Sequence, residues 1–498
     1  MAGHGRGRRS RRFALLALLV ATTMAFAAAC GDDDDDGGDA TTAAATTAAA
    51  APDTATAPAD TSAATSAPAD TAADTAASDT AASEPATTAE ASGEPVNLTF
   101  WWWAESDAPG ANAWLDQAVQ AYKAVQPNVT IEVVEQATDT FIPTFQTAAA
   151  AKEGPDIAAQ WATGPVLTQV WGGAVTAISD LVPPEELAHW LNTSENTYDG
   201  KVWAMPLYLL GIPWVTNKTL MAEAGLTQPP TTWDEVISAC EALRAKDITP
   251  FAFGNDFYWT TQLMTQSLDS LDDHLAAVRG DAKFTDPKYV EFEDSWKRMV
   301  DAECFNDDVG SIGVAESQER FAAGEAAMTI GADGNVRQWA KDLGGENLTV
   351  SKWPVAGSGA LKDAYHATQS TSYFVTSWSE HQQEAADFLV FLHTPEQQAA
   401  WYEATGMPPA DDRFDDSVIT DPLDAEMYRL NTTGPQIWLQ NFFPPQIDIN
   451  GNIPAQELVL GGQGDGAAAA QVRERAAEQW RAQKPDELEN WKAFQPAS

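Results

Sequence analysis

Basic residues and cysteine are scarce in this sequence. The first shortage argues against certain binding partners, and the second excludes one class of scaffold. Against 72 Asp and Glu there are only 28 Lys and Arg, which gives a formal net charge of −44. Such a charge would repel nucleic-acid phosphates and anionic lipid surfaces, so neither is expected as a direct partner. Three cysteines among 498 residues also exclude a small scaffold held together by disulfides.

Sequence signatures of common catalytic sites are missing as well. No G-x-S-x-G elbow, H-E-x-x-H helix or Walker-type phosphate loop occurs. The six histidines are scattered without metal-ligand spacing. We therefore predict that the chain is not an enzyme and uses neither a metal nor a cofactor. A secreted glycoside hydrolase is the rival hypothesis, because Glu105 and Asp256 offer a pair of carboxylates.

The first 29 residues have the features of a secretory signal peptide. An arginine-rich head precedes an Ala- and Leu-rich run from Phe13 to Ala29, and export would remove such a segment. Cys30 follows small residues, which is similar to a lipobox whose cysteine becomes lipidated, although Ala27 stands where Leu is usual. Ordinary cleavage beside an incidental cysteine is the alternative. Arg11-Arg12 leaves twin-arginine export open beside the Sec route.

Residues 30–94 are predicted to form a lipid-anchored, disordered linker. After Cys30 they are almost wholly Ala, Thr, Asp, Ser and Pro, with no aromatic residue and no Lys or Arg. Such a composition buries too little apolar surface to offset the entropy of the chain. The linker would hold a folded body away from a membrane.

Strand and helix patterns alternate after the linker. Val96–Trp103 and Val129–Val134 are short β-rich apolar runs, whereas Phe141–Ala151 is predicted to be a helix. This alternation favours an α/β fold with a mixed or parallel sheet flanked by helices. In such folds ligands bind beyond the carboxyl ends of the strands.

A proline-broken apolar run from Lys201 to Trp214 is too interrupted for a helix. Further on, Thr231-Thr232 precede Trp233-Asp234-Glu235, a helix-start pattern. The phrases GKVWAMP, VTNKTL and GLTQPPTTWDEV together resemble the crossover segment of bacterial extracellular solute-binding proteins that serve sugar-importing ABC transporters. QPNVTIEVV, EGPDIA, FAAGEAAMTI and EAADFLVFLHTPEQQAAWYEATGMPP follow in the order of that family. The resemblance covers about residues 95 to 495.

The resemblance implies a two-lobed periplasmic-binding-protein fold of type II, with a mixed sheet in each lobe and hinge crossovers between them. The N-terminal lobe would comprise 95–213 and 373–425, and the C-terminal lobe 214–372 and 426–498. The expected function is capture of an extracellular mono- or oligosaccharide by a monomeric, lipid-anchored protein on the outer face of the cytoplasmic membrane. ABC permease subunits would be the partners. Polyols, polyamines and peptides are the alternative ligands.

Side chains at the predicted strand ends and crossovers combine aromatic rings with polar groups, which suits a sugar. Trp161 matches the position of an aromatic residue that lies on the sugar in maltose-binding relatives. Trp101 is expected in the core by strand alternation. Asp107 also follows the first strand, and capping of the next helix is the alternative role for it. The predicted ligand-binding residues are Trp102, Trp103, Glu105, Gln160, Trp161, Tyr208, Asn255, Asp256, Trp259, Asp333 and Gln369.

Two cysteines lie in the predicted body. Cys240 and Cys304 are possible disulfide partners, because an exported protein meets an oxidising compartment. Cys240 also lies on an apolar helix face with Val236 and Leu243, where a buried free thiol is equally reasonable. The sequence leaves the two states open.

Overall fold

The structure of the protein is a computed structural model that describes residues 94–138, 140–254, 257–369 and 371–496. The predicted signal peptide, Cys30 and nearly all of the predicted linker lie outside the described residues, as do Asn255 and Asp256. In chain order the strands are β1 Val96–Trp102, β2 Val129–Glu135, β3 Ile157–Trp161, β4 Thr197–Tyr198, β5 Lys201–Val202, β6 Met205–Pro206, β7 Leu210–Gly211, β8 Trp214–Asn217, β9 Thr249–Phe251, β10 Ala326–Ile330, β11 Leu348–Ser351, β12 Ala367–Thr368 and β13 Thr371–Val375.

The α-helices connect and cover these strands. In chain order they are α1 Ala111–Val125, α2 Phe141–Ala151, α3 Gly164–Trp171, α4 Pro184–Leu187, α5 Lys218–Glu223, α6 Trp233–Arg244, α7 Phe257–Thr260, α8 Leu271–Arg279, α9 Pro287–Asp301, α10 Val314–Ala322, α11 Asp333–Leu343, α12 Gln382–Leu392, α13 Pro395–Thr405, α14 Pro422–Thr432, α15 Pro445–Ile447, α16 Ile453–Leu460, α17 Gly466–Gln483 and α18 Pro485–Ala493. Short 3₁₀ turns and one π-helical turn, Asp448–Asn452, complete the described elements.

Two mixed sheets organise the body. The first has the order β2-β1-β3-β13-β6, in which β1, β2 and β3 are parallel and β13 runs antiparallel to both of its neighbours. The second has the order β11-β8-β10-β9. Strands β7 and β12 belong to the two chain segments that connect the sheets, and they pair as an antiparallel ribbon. This is the two-lobed α/β arrangement that the sequence predicts.

Local sequence signals explain several of the element boundaries. Helix α2 spans the predicted residues, and α6 begins at a capping box in which Thr232 and Glu235 bond each other's backbone N–H groups. Between β5 and β8 the chain forms only short strands, because Pro206 and Pro213 have no N–H to donate to a ladder.

The core lies on the faces of the two sheets. Strand β3 is buried from Ile157 to Gln160, as expected for a strand covered on both faces. Helix α1 packs its apolar stripe, which includes Trp114 and Tyr122, into the core beside the first sheet. The disulfide that the sequence left open is present, since the Sγ atoms of Cys240 and Cys304 are 2.09 Å apart.

The lobe boundaries remain predictions. The boundary at residue 425 falls within α14, a continuous helix. Its buried residues Leu423, Met427 and Leu430 pack with residues of the second sheet such as Val215 and Val350. The whole of α14 therefore packs with the second lobe.

Candidate functional site

A cavity of about 200 Å³ is lined by residues that end or follow strands of both sheets and by residues of the ribbon that connects them. We call it the aromatic cavity, because four tryptophans line it: Trp103, Trp161, Trp259 and Trp438. The other lining residues are Ser106, Asp107, Thr138, Leu210, Ala332, Thr368, Gln440 and Asn441. Rings beside hydroxyl, amide and carboxylate groups can hold a ligand that has apolar faces and hydrogen-bonding edges.

Trp103 and Trp161 are held by neighbouring rings. Trp103 stacks on Phe141 of α2 with ring centroids 5.4 Å apart. Trp161, at the end of β3, meets both rings edge-on, at 6.1 Å from Trp103 and 5.2 Å from Phe141. The indole N–H of Trp103 also donates to Thr138 Oγ1 at 2.9 Å. Because these contacts fix the ring positions, a ligand would find the aromatic wall already formed.

The 3₁₀ turn Leu439–Phe442 brings amide groups to the cavity. The backbone N–H of Leu439 donates to Oε1 of the buried Gln262 at 2.9 Å. Nδ2 of Asn441 donates to Oγ1 of Thr368 at 3.3 Å. The turn is thereby tied to the core of the second lobe and to the connecting ribbon.

A second cavity, of about 320 Å³, shares Trp161, Gln440 and Asn441 with the first. We call it the amide cavity, because carboxamides make up most of its polar side chains. Its other lining residues are Ile142, Gln146, Pro165, Thr168, Gln169, Phe443, Pro445, Gln446, Asp448 and Ile449. The shared residues form a common wall, so the two cavities are neighbouring parts of one cleft.

Three of the predicted ligand-binding residues line the aromatic cavity, namely Trp103, Trp161 and Trp259. Asp107, for which the sequence left a cleft position and a helix cap open, lines it too. The structure therefore brings together an aromatic subset of the predicted residues. Their contact with a ligand stays a prediction.

Trp102 and Glu105 have structural partners instead. Trp102 is 1% exposed, stacks on Tyr373 at 5.1 Å and donates its indole N–H to Asn112 Oδ1 at 2.8 Å. The Glu105 carboxylate accepts the backbone N–H groups of Gly110 and Asn112 at 2.9 and 2.8 Å. Trp102 therefore lies in the core, and Glu105 satisfies N–H groups at the start of α1.

Gln160, Tyr208 and Gln369 are fully buried and line neither cavity. Tyr208 stacks on Trp401 with centroids 5.0 Å apart. Nε2 of Gln369 donates to the carbonyl oxygen of Asn192 at 3.3 Å. These three residues lie behind the cleft wall.

Asp333 secures the connecting ribbon. Its Oδ2 accepts the backbone N–H of Gly211 in β7 at 2.9 Å and Nδ2 of Asn431 at 2.7 Å. Burial raises the pKa of Asp333 to about 7. The side chain lines neither cavity, and its position suits a hinge contact.

The remaining predicted pair, Asn255 and Asp256, lies outside the described residues. Sequence reasoning missed Trp438, Gln440 and Asn441, which line the aromatic cavity. The sequence does contain a signal, because the stretch 435–444, PQIWLQNFFP, places three aromatic residues and three amides in a proline-bounded segment. Such a segment is typical of a loop that carries function.

Two negative findings apply to the described residues alone. No three or more His, Cys, Asp and Glu side chains in this part of the chain are grouped as a metal site requires. A helix that crosses a membrane would have to be longer and more apolar than any that these residues form.

Comparisons with known proteins agree with the fold. Residues 117–424, more than half of the chain, match the family described as bacterial extracellular solute-binding protein. A binding protein of Brucella abortus is 22% identical over 308 residues, which are 59% of this chain and 72% of that protein. The multiple sugar-binding protein of Streptococcus mutans is 25% identical over 235 residues, 45% of this chain and 55% of that protein.

A solved structure has the same architecture. A chitin oligosaccharide binding protein superimposes with a TM-score of 0.69 at 21% identity, over 78% of this chain and all of that chain. The family and these neighbours are binding proteins rather than enzymes. The family match runs from helix α1 into helix α14 and so includes strands of both sheets and the ribbon between them. The chain belongs to the bacterial extracellular solute-binding protein family.

Proposed function

We propose that this protein is the substrate-binding component of an ABC importer and captures an extracellular carbohydrate in the cleft between its lobes. The observation that carries the proposal is the aromatic cavity, in which four tryptophans stand beside hydroxyl, amide and carboxylate groups. A sugar ring presents C–H groups on its faces and hydroxyls on its edges. The C–H groups can pack on indole rings, while the hydroxyls bond the polar side chains.

The charge of the cleft supports an uncharged ligand. Asp107 and Asp448 are the ionisable side chains among the described lining residues of the two cavities, and none of these residues is Lys, Arg or His. A phosphate or carboxylate ligand would normally be bound by Arg or Lys. A neutral sugar therefore fits better than a sugar phosphate.

Lobe closure is the proposed mechanism of capture. The carbonyl oxygen of Asp107, which follows β1, lies so close to Gly334 in α11 that a Cβ on that glycine would be 2.6 Å from it. The lobes thus meet through their backbones beside the aromatic cavity. A ligand that contacts both walls would stabilise the closed form by its differential affinity for the two forms. The closed form would dock on permease subunits, while ATP is hydrolysed on other chains.

A thermal-shift screen tests the ligand class. The secreted protein would be heated with mono-, di- and oligosaccharides, polyols, polyamines and peptides. A ligand at 100 times its dissociation constant adds about 2.7 kcal/mol to the stability of the folded state, so we expect one saccharide class to raise the midpoint by several degrees. A response to polyamines or peptides alone would contradict the carbohydrate assignment.

Replacing Trp161 by Ala is expected to weaken saccharide binding at least tenfold. The ring borders both cavities, so its loss removes stacking surface from the centre of the cleft. Titration calorimetry with the saccharide found in the screen measures the effect.

Trp378→Ala is the matched control for this experiment. Trp378 is also half-buried, and its indole N–H donates to the carbonyl oxygen of Pro155 at 3.1 Å, away from both cavities. We expect this variant to bind normally. Unchanged affinity of the Trp161→Ala protein would remove that residue from the site.

Export and anchoring through Cys30 form the second part of the proposal. Acylation at Cys30 would hold the body on the outer face of the cytoplasmic membrane, with several acyl chains because one anchors only weakly. Cys30→Ser is expected to move most of the protein from the membrane fraction into the medium, as measured by fractionation and immunoblotting. Incorporation of labelled fatty acid should be lost in parallel. A Cys30→Ser protein that still sediments with membranes would contradict anchoring through this residue.

A further inference from the structure

The amide cavity has a polar lining suited to a ligand rather than to bulk solvent. Five carboxamide side chains contribute to it: Gln146, Gln169, Gln440, Asn441 and Gln446. A carboxamide donates and accepts at once, so it can bond adjacent hydroxyl groups in either orientation. The cavity also has apolar walls, supplied by Trp161, Phe443, Ile142 and the two prolines.

One of these carboxamides has a buried oxygen without a protein partner among the described residues, and another is itself buried. Gln169 is 5% exposed. Oε1 of Gln446 is also buried with no partner in the described part of the chain. Buried polar groups are normally paired, so the Gln446 oxygen is available to a ligand that enters the cavity.

Asp448 is the ionisable residue of this lining, and it is held in place from the core. It begins the π-helical turn Asp448–Asn452 and accepts a hydrogen bond from Nδ2 of Asn452. The Asn452 Oδ1 accepts from Nε of Arg473 at 2.5 Å, and Arg473 pairs with Glu293 at 2.5 Å. Arg473 and Glu293 are fully buried. The oxygens of a carboxyl group fixed in this way are preorganised to hydrogen-bond a ligand.

The volumes of the two cavities also favour a ligand that occupies both. The aromatic cavity, about 200 Å³, is smaller than the roughly 300–1,000 Å³ of common small-molecule sites. Adding the amide cavity, about 320 Å³, brings the cleft into that range. Trp161, as the shared wall, could contact ligand in both.

We propose that the amide cavity is a second subsite, which binds a further sugar ring of an oligosaccharide through its carboxamides and Asp448. This inference rests on the proposed function and specifies its substrate as an oligosaccharide rather than a monosaccharide. Groups that donate hydrogen bonds, such as hydroxyls and the N–H of acylated amino sugars, suit the carboxylate. Acidic sugar rings do not suit the cavity, because none of its described lining residues is a Lys, Arg or His that would pair with them.

Affinity as a function of ligand length tests the proposal. Calorimetry of the full exported protein would use xylo-, chito- and malto-oligosaccharides from one to six rings. In the responding series we expect affinity to rise at least tenfold from the monosaccharide to the longest ligands. Gln146→Ala and Asp448→Asn should each weaken the long ligands several-fold and the monosaccharide less. Gln146 is exposed, so its variant should fold even if the Asp448 variant does not.

Gln338→Ala and Asp342→Asn are the matched controls. Both residues lie on the exposed face of α11, where they bond each other, and outside the two cavities. Equal affinity for short and long ligands, or a loss in the test variants that is independent of length, would overturn the second subsite and leave the proposed function standing. Failure of every saccharide to bind would overturn both.

Discussion

Replacing Arg473 by Met is expected to lower the free energy of unfolding by roughly 3–5 kcal/mol, because the change leaves a buried carboxylate without its partner. Arg473 and Glu293 form an ion pair at 2.5 Å, and both side chains are 0% exposed. The guanidinium group also lies over the ring of Phe292, 5.0 Å from its centroid. Urea unfolding followed by tryptophan fluorescence measures the loss.

The dependence of this loss on pH identifies its cause. Burial already raises the pKa of Glu293 above its ordinary value, and removal of the cation would raise it further. A group whose pKa is raised in the folded state destabilises that state as pH rises through the folded pKa. The loss in Arg473→Met should therefore be greatest at alkaline pH and shrink as pH falls toward about 4.3, the ordinary pKa of Glu.

Two further variants serve as controls for the ion pair. Arg429→Met breaks a surface pair with Glu426, whose side chains are 54% and 38% exposed, and should cost less than about 1 kcal/mol. The double variant Arg473→Met, Glu293→Gln removes both buried charges and should recover much of the stability. A single Arg473→Met variant as stable as wild type would show that the buried pair contributes little.

Removal of the disulfide by Cys240→Ala together with Cys304→Ala is expected to cost about 4 kcal/mol at 25 °C. The bridge joins residues 64 positions apart, and a closed loop of that length restricts the unfolded chain by about this amount in the chain-entropy description. Denaturant unfolding of the oxidised protein and of the double variant measures the difference.

The disulfide lies outside the cleft, so saccharide affinity serves as the control for its removal. Cys240 lies in α6, and the carbonyl oxygen of Cys304 accepts the N–H of Phe251 in β9, so the bridge braces the second sheet. Neither cysteine lines the cleft, and saccharide affinity should be unchanged at temperatures where the variant is folded. A loss of less than about 1 kcal/mol would contradict the expected contribution.

The sequence predicted the fold better than the site. Strand β2 and helix α2 were visible from local patterns, because their apolar residues recur with the period of the element. The insertion of β13 between β3 and β6 depends on pairing between distant segments. The resemblance to a family assigned residues 373–425 to the N-terminal lobe but did not give the position of this strand in the sheet, and local periodicity could not give it either.

The site depended on contacts that no local pattern contains. Trp102 and Trp103 are adjacent, yet Tyr373 covers Trp102 from far along the chain while Trp103 faces the cleft. Glu105 accepts hydrogen bonds from backbone N–H groups at the start of α1, a capping role that the sequence suggested only for Asp107. Trp438 lies in a segment without periodicity, where sequence alone gives the position of a loop but not the direction of its side chains.

The late position of β13 also governs when the protein can fold. Until Thr371–Val375 has been synthesised, β3 has a free edge and β6 has no neighbour in the first sheet. Pairing across such a long stretch of chain is slow, because the intervening loop must first be closed. The first sheet therefore cannot be completed before all four strands of the second sheet have been synthesised.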